Sequence, residues 1–153
     1  MTAVAPGMEH ACNIEATLGD PVEMGEGRGG HRRIIPITGG RATGRIAGEV
    51  QNLGADWQLV YADGCAFLDT RYAIRTDDGA LVEVVNTGFR HGPPEVLAAL
   101  ARGDEVDPAS YYMRTSARLE TGDDRYRWVN RTVFLGTGRR MENAVRIDLF
   151  AVI

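Results

Sequence analysis

Short runs of alternating apolar and polar residues dominate this chain, with almost no three-to-four-residue spacing of an amphipathic helix between them. Successive strand residues point to opposite faces, so such alternation marks strands with one dry and one wet side. Runs of this kind cover residues 34–38, 45–52, 56–61, 65–76, 80–88, 111–120, 126–135 and 144–153, with a further one between 8 and 17. Asp63-Gly64, Asp77-Asp78-Gly79, Thr121-Gly122-Asp123 and Gly136-Thr137-Gly138 separate them and supply the positive-φ residues of tight turns. A single helix interrupts the series: Pro93-Pro94-Glu95 makes its first turn, Val96, Leu97 and Leu100 its apolar stripe, and Gly103 its C-cap. The pattern predicts an all-β fold, a closed antiparallel lipocalin-like barrel of roughly eight to ten strands with one short capping helix. One domain is expected over residues 1–153, because no linker, repeat or low-complexity tract divides them.

One run carries a distinctive face. On a strand over residues 126–134, Tyr126, Trp128, Asn130, Thr132 and Phe134 share one side, and Arg127, Val129, Arg131 and Val133 the other. The two arginines mark the second side as wet, which turns two large aromatics, an amide and a hydroxyl inward. Such a mixed lining suits a ligand cavity better than a dry aliphatic core. Function is therefore expected inside the barrel.

Composition narrows the chemistry. With 153 residues, 44% hydrophobic and 25% charged, the chain can bury a sizeable core. The net charge of −4 argues against a nucleic-acid partner, which calls for clustered positive charge. All 17 basic residues are arginine. Without lysine there is no Schiff base, P-loop lysine or lysine general base; arginine stays protonated and serves as a clamp for oxyanions. Ser110 and Ser116 lie in no nucleophile elbow, and His10, His31 and His91 lack the pairing of a metal site. Cys12 and Cys65 suggest neither a disulfide framework nor zinc, which fits a reducing compartment. The run Gly25-Glu26-Gly27-Arg28-Gly29-Gly30 has dinucleotide-loop spacing, but residues 31–35 read as a strand where a helix is required, so it reads as a flexible loop. The stretch from Thr38 to Gly44 reads as a tight turn or a close strand crossing that excludes a Cβ. No leader pattern and no bilayer-long apolar stretch occur, so a cytoplasmic protein without metal, cofactor or membrane partner is expected.

The motifs Pro36-Ile-Thr-Gly-Gly40, Gly54-Ala-Asp-Trp57, Leu68-Asp-Thr-Arg-Tyr72, Arg75-Thr-Asp-Asp-Gly79, Tyr111-Tyr112 with Arg114, Glu120-Thr-Gly122 and Tyr126-Arg-Trp-Val-Asn130 follow one another in fixed order. Together with Gly44 and Gly48 they resemble domain-of-unknown-function family 3237, from about Arg33 to the C-terminus. The resemblance implies a compact closed antiparallel barrel and no uniform activity; some members of such families act in biosynthesis as cofactor-independent cyclases. Thr70 and Met113 depart from the pattern, which expects Ala and an aromatic there, and would reshape the cavity.

Asp56-Trp57 carries the sharpest chemical suggestion. A carboxylate at a strand start beside a large aromatic can be desolvated, which raises its pKa into the range of a proton shuttle. Its alternative is a turn cap accepting backbone N–H bonds. Glu120, just before a turn, poses the same choice, and two carboxylates in one cavity would divide into acid and base. On 111–120, ordinary patterning puts Tyr112, Arg114, Ser116, Arg118 and Glu120 outside, whereas the resemblance favours Arg114 in the lumen. Asp69 reads as part of an outer ion pair, while Arg71 is open between that pair and an oxyanion clamp. The reading is thus a small-molecule-binding barrel acting as a cofactor-independent acid–base enzyme of cyclase, isomerase or hydratase type on an oxygenated, partly hydrophobic metabolite. Asp56 and Glu120 are its catalytic candidates, and Trp57, Arg71, Arg114, Tyr126, Trp128 and Asn130 its substrate-binding candidates. The alternative is a noncatalytic carrier barrel, and either suits a monomer or a homo-oligomer.

Overall fold

Residues 31–44 form one strand, β3 (His31–Gly44), at 14 residues the longest in the molecule, and it closes the sheet on itself. Before it come β1 (Met8–Leu18) and β2 (Val22–Glu26), and after it β4 (Gly48–Val50) and β5 (Gly54–Val60). The first half of β3 pairs with β2 on one side and β5 on the other, and its second half with β1 and β4. From there β6 (Ala66–Thr76), β7 (Leu81–His91), β8 (Tyr112–Glu120), β9 (Phe134–Arg140) and β10 (Ala144–Val152) meander in order, and β10 returns to β1. Every pairing is antiparallel. Because β1 and β2 share one position beside β3, and β4 and β5 share another, the ten strands make a closed barrel of eight positions. The computed structural model describes all residues, 1–153.

Closure needs β3 to cross β1 at very short range. Gly40 has φ +128°, and a Cβ there would lie 2.0 Å from the Glu15 carbonyl oxygen. The glycines between residues 38 and 44 therefore mark a close crossing inside a strand, one of the two readings the sequence offered. The expected closed antiparallel barrel is what forms. Its α-helix, α1 (Pro94–Ala101), starts on proline and ends before Gly103 at φ +82°, whose N–H bonds the Leu100 carbonyl.

Two expected elements differ. The strand expected over 126–135 does not form: Asp124–Arg131 is a 3₁₀ helix, and only Phe134 and Leu135 are in a strand, the start of β9. The Asp123 side chain accepts the Arg125 N–H at 2.9 Å, and Arg125 and Arg127 pair with Asp123 and Asp124. These local contacts favour a capped helical turn, which buries Val129 fully, leaves Trp128 half-buried against the core and keeps Tyr126 and Asn130 off one shared inner face. The second difference is Gly136-Thr137-Gly138, expected as a turn but lying within β9. Both glycines face inward where other side chains fill the space: an added Cβ would fall 2.2 Å from Thr115 Oγ1 at Gly136 and 2.5 Å from Met113 Cγ at Gly138.

The dry core occupies one end of the barrel, where Ile14, Ile46, Ile74, Val82, Val84, Leu119, Phe134 and Leu149 are fully buried. The 3₁₀ helix seals that end. Trp128 packs against Phe134 with ring centroids 5.8 Å apart, and the Arg45 guanidinium lies 3.9 Å above its ring. Trp128→Ala is expected to cost about 2 kcal/mol in urea unfolding, below the value for a fully buried Trp because the side chain is half-buried. No helix is long and apolar enough to cross a membrane.

Candidate functional site

At the other end the inward alternation turns polar. On β5 it points Asp56 and Gln58 inside, on β6 Leu68, Thr70 and Tyr72, and on β7 Asn86 and Arg90. Met113 and Thr115 of β8, Arg140 of β9, Val145 and Ile147 of β10, and Ile35 and Ile37 of β3 complete the wall. They enclose a cavity of about 50 Å³. One ordered water needs about 10–15 Å³ by the same measure, so the space accepts a few waters or a compact polar group. The absence of a side chain at Gly136 and Gly138 leaves Thr115 and Met113 room to project into this region. α1 lies at this end, where Leu97, Ala98 and Ala101 border a shallow groove shared with Arg33 and Arg90.

Asp56 is the centre of the polar wall. It is 9% exposed; one carboxylate oxygen accepts the Asp69 backbone N–H at 2.9 Å and the other the Gln58 amide at 3.0 Å. Gln58 in turn accepts from Arg33 Nε at 2.7 Å, which orients its amide. Burial pushes the Asp56 pKa above the ordinary aspartate value, against the opposing pull of these hydrogen bonds, the Thr70 hydroxyl and the Arg90 charge. Arg90 is pulled down to about 10, first by burial and then by the charges of Arg33 and Arg140, and Arg140 is lowered by burial and by the charge of Arg33. Three buried polar atoms have no partner: Asn86 Oδ1, Arg90 Nε and Thr115 Oγ1. All three residues line this one cavity. An unpartnered buried polar group costs roughly 1–3 kcal/mol, and three residues bearing one line this single space.

The Asp56 pKa has a consequence for stability. Since the folded state holds this proton more tightly than the unfolded chain, where the pKa is about 3.9, the contribution is fully present below that value and is lost as pH rises through the folded pKa. The stability difference between wild type and Asp56→Asn is therefore expected to shift against wild type as pH rises above about 4. Parallel denaturant titrations across that range check it; a difference that moves the other way contradicts the burial argument.

Of the residues singled out in the sequence, Asp56 lies in the cavity. Trp57 cannot join it, since neighbours on a strand face opposite ways, and it is 47% exposed on the outside. Arg71 is exposed on β6 between inward Thr70 and Tyr72. Glu120 and Arg114 lie on the outer face of β8, because Met113, Thr115, Ala117 and Leu119 take the inner one. Glu120 thus does not share a cavity with Asp56. Arg114 borders an external apolar groove with Tyr112, Phe67, Phe89 and Leu135. Tyr126 donates its hydroxyl to Asp78 at 2.9 Å across the β6–β7 turn. Asn130 accepts the Thr121 N–H at 2.8 Å and donates to the Thr121 carbonyl at 2.9 Å, tying the 3₁₀ helix to the end of β8. Trp128 seals the dry end instead of lining the polar one. The residues sequence reasoning passed over are Arg33, Gln58, Asn86, Arg90, Thr115 and Arg140. A signal for two of them was present: Val82, Val84, Asn86, Gly88 and Arg90 alternate along β7, with an amide and a guanidinium on the apolar side.

The fold and this cavity define a small antiparallel β-barrel with a charged, polar inner chamber. The chain belongs to the DUF3237 family, proteins of unknown function, whose pattern it matches over residues 6–152. It is 43% identical over 145 residues to a UPF0311 protein of Bradyrhizobium diazoefficiens, covering 95% of each chain. The crystal structure of a conserved protein of unknown function from Rhodopseudomonas palustris superposes with a TM-score of 0.93 at 39% identity, over 99% of this chain and 100% of that one. A β-barrel-like protein from Acinetobacter baumannii gives 0.86 at 39% identity, over 99% of both. An enzyme from Penicillium herquei shares the fold at a TM-score of 0.76 and 18% identity, over 100% of this chain and 98% of that one.

Proposed function

We propose that this barrel binds a small oxygenated, partly hydrophobic metabolite in its inner chamber and acts on it as a cofactor-independent acid–base enzyme. The observation carrying this reading is the convergence of three unpartnered polar atoms, on Asn86, Arg90 and Thr115, around a cavity that also holds the buried Asp56 carboxylate. Ile35, Ile37, Leu68, Met113 and Ile147 supply the apolar wall for a carbon skeleton. Asn86, Arg90 and Thr115 hold its oxygens, and Asp56 moves the proton.

Asp56 is the only carboxylate lining the cavity, and burial raises the Tyr72 phenol away from neutral pH. One group must therefore take a proton and return it. That suits an isomerisation or an intramolecular addition, in which no net proton is consumed, as in a cyclase or isomerase. The same single carboxylate is what favours the second reading, a carrier that binds such a ligand and releases it unchanged. The two unpaired thiols, Cys12 and Cys65, suit a reducing compartment such as the cytoplasm for either role.

The test is an isotope-labelled protein titrated with a panel of small oxygenated metabolites, followed by NMR and by mass spectrometry of the recovered compounds. The proposal expects signals of Asn86, Arg90 and Thr115 to shift, those of the outer-face Phe89 and Tyr112 to stay, and at least one compound to isomerise. Binding confined to the outer groove overturns it; binding in the chamber with every compound returned unchanged replaces the enzyme with the carrier.

A further inference from the structure

We infer that the ligand presents a carboxylate group to the chamber, received by the guanidiniums of Arg90 and Arg140 with Arg33 beside them. The inference rests on the reading of this chamber as a ligand site and names the charge of what enters it.

Three guanidiniums gather at the polar end of the barrel against one carboxylate, that of Asp56. Arg33 is engaged with Gln58. Arg90 and Arg140 take part in none of the ion pairs of the molecule, which all lie on the outer surface. Arg90 Nε is buried and has no acceptor at all. The Arg140 main chain is held, its N–H donating to the Tyr111 hydroxyl at 2.9 Å, while its side chain lines the cavity. Asp56 relieves this charge only in part: its charge favours both guanidiniums, but it is one carboxylate among three arginines, and its hydrogen bonds go to the Asp69 N–H and Gln58 and to neither Arg90 nor Arg140. Like charges withdrawn from water repel one another and lose hydration, and a buried charge is ordinarily paired. What is missing from the chamber is negative charge.

Size and geometry choose among anions. A carboxylate is planar and matches the guanidinium fork with two parallel bonds. It brings a single charge, whereas a phosphate brings nearly two into a chamber that already contains Asp56, and a phosphate has no carbon chain to set against the apolar wall. The Thr115 hydroxyl, also without a partner, can donate to one of the carboxylate oxygens. The apolar residues Ile35, Ile37, Met113 and Ile147 then face the carbon chain attached to it.

The experiment titrates the intact protein at constant ionic strength with three probes: butyrate, the neutral isostere butyramide, and inorganic phosphate. The readout is the set of arginine Nε–H signals, with that of Arg90 assigned by its disappearance in Arg90→Met. Butyrate is expected to shift the Arg90 signal saturably and to bind about tenfold or more tighter than butyramide, the gain of a charge-assisted over a neutral bond. In Arg90→Met the preference for butyrate should vanish while binding of butyramide persists. Should Arg90→Met fail to fold, Arg140→Met carries the same expectation. Equal binding of butyrate and butyramide at the chamber overturns the carboxylate and leaves the ligand site standing. Tighter binding of phosphate than butyrate overturns the choice of anion, and absence of any shift at Arg90 up to the solubility limit of butyrate overturns the inference itself.

Discussion

Replacing Asp56 by Asn is expected to lower turnover by a factor on the order of 10² to 10⁴, the usual contribution of a general acid or base, while ligand affinity stays within a few-fold of wild type. The substitution is nearly isosteric. Its Oδ1 can still accept the Asp69 N–H, so the strand pairing around residue 56 has no reason to change. What disappears is the only carboxylate lining the chamber that can take and return a proton. Glu120→Gln is the matched control: it removes the other carboxylate suggested by the sequence, but from the outer face of β8, and turnover should be unaffected. The pH profile gives a second readout. A base works when unprotonated, and burial raises the Asp56 pKa, so the acid limb of kcat/KM should lie above the value of about 3.9 for an ordinary aspartate. Isomerisation monitored by mass spectrometry for wild type and both variants decides the matter; an active Asp56→Asn protein transfers the role elsewhere or removes it.

Gly40→Ala is expected to be the most damaging single methyl group in the barrel. Its Cβ would lie 2.0 Å from the Glu15 carbonyl oxygen and 2.9 Å from Ala16 Cα, both main-chain atoms of β1, at a φ of +128° that L side chains rarely adopt. Neither conflict can be relieved by a rotamer change. Relief requires β1 and β3 to separate, and their pairing is the seam that closes the barrel. The expected loss is about 3 kcal/mol or more, a fall in Tm on the order of 10 °C for a chain of this size. Thermal unfolding followed by circular dichroism measures it. Gly79→Ala is the comparison: it also has positive φ, at +97°, but its added Cβ meets nothing within 4 Å, so its cost should be that of the backbone alone and clearly smaller.

Alternation on β5 through β8 marked these stretches as strands in advance, while the face that turns inward stayed open at Arg71 and Arg114, and both lie outside. It failed on two short stretches for different reasons. Tyr126-Arg-Trp-Val-Asn130 has the period of a strand, but Asp123 and Asp124 offer carboxylates to the backbone N–H and side chains of the next residues, and a capped 3₁₀ helix results. The substrate-binding face expected there was therefore taken apart: Trp128 became a seal, Tyr126 a brace for Asp78, and Asn130 a clamp on Thr121. Gly136 and Gly138 looked like a turn because glycine is the usual turn residue. They are glycines because Thr115 and Met113 on the neighbouring strand reach across them, which no local pattern reveals.

The polar chamber divides along the same line. Asp56 stood out by itself as a carboxylate beside glycine and tryptophan, and Asn86 and Arg90 stood on the apolar side of their own strand. Which of the 17 arginines would meet there could not be read, since Arg33, Arg90 and Arg140 are far apart in the chain and become neighbours only when β3 returns past β5 and β9 follows β8. By itself the sequence determined the class of fold, the turns at Gly64 and Gly79, the short helix after Pro93 and the absence of lysine chemistry, because these depend on composition, side-chain period and local backbone preference. The tertiary structure alone decided which strand face is inside, that Glu120 is separated from Asp56, and that Arg90 and Arg140 share one chamber with Arg33 beside them. Those depend on register and closure, and closure is a relation between residues that the chain order keeps apart.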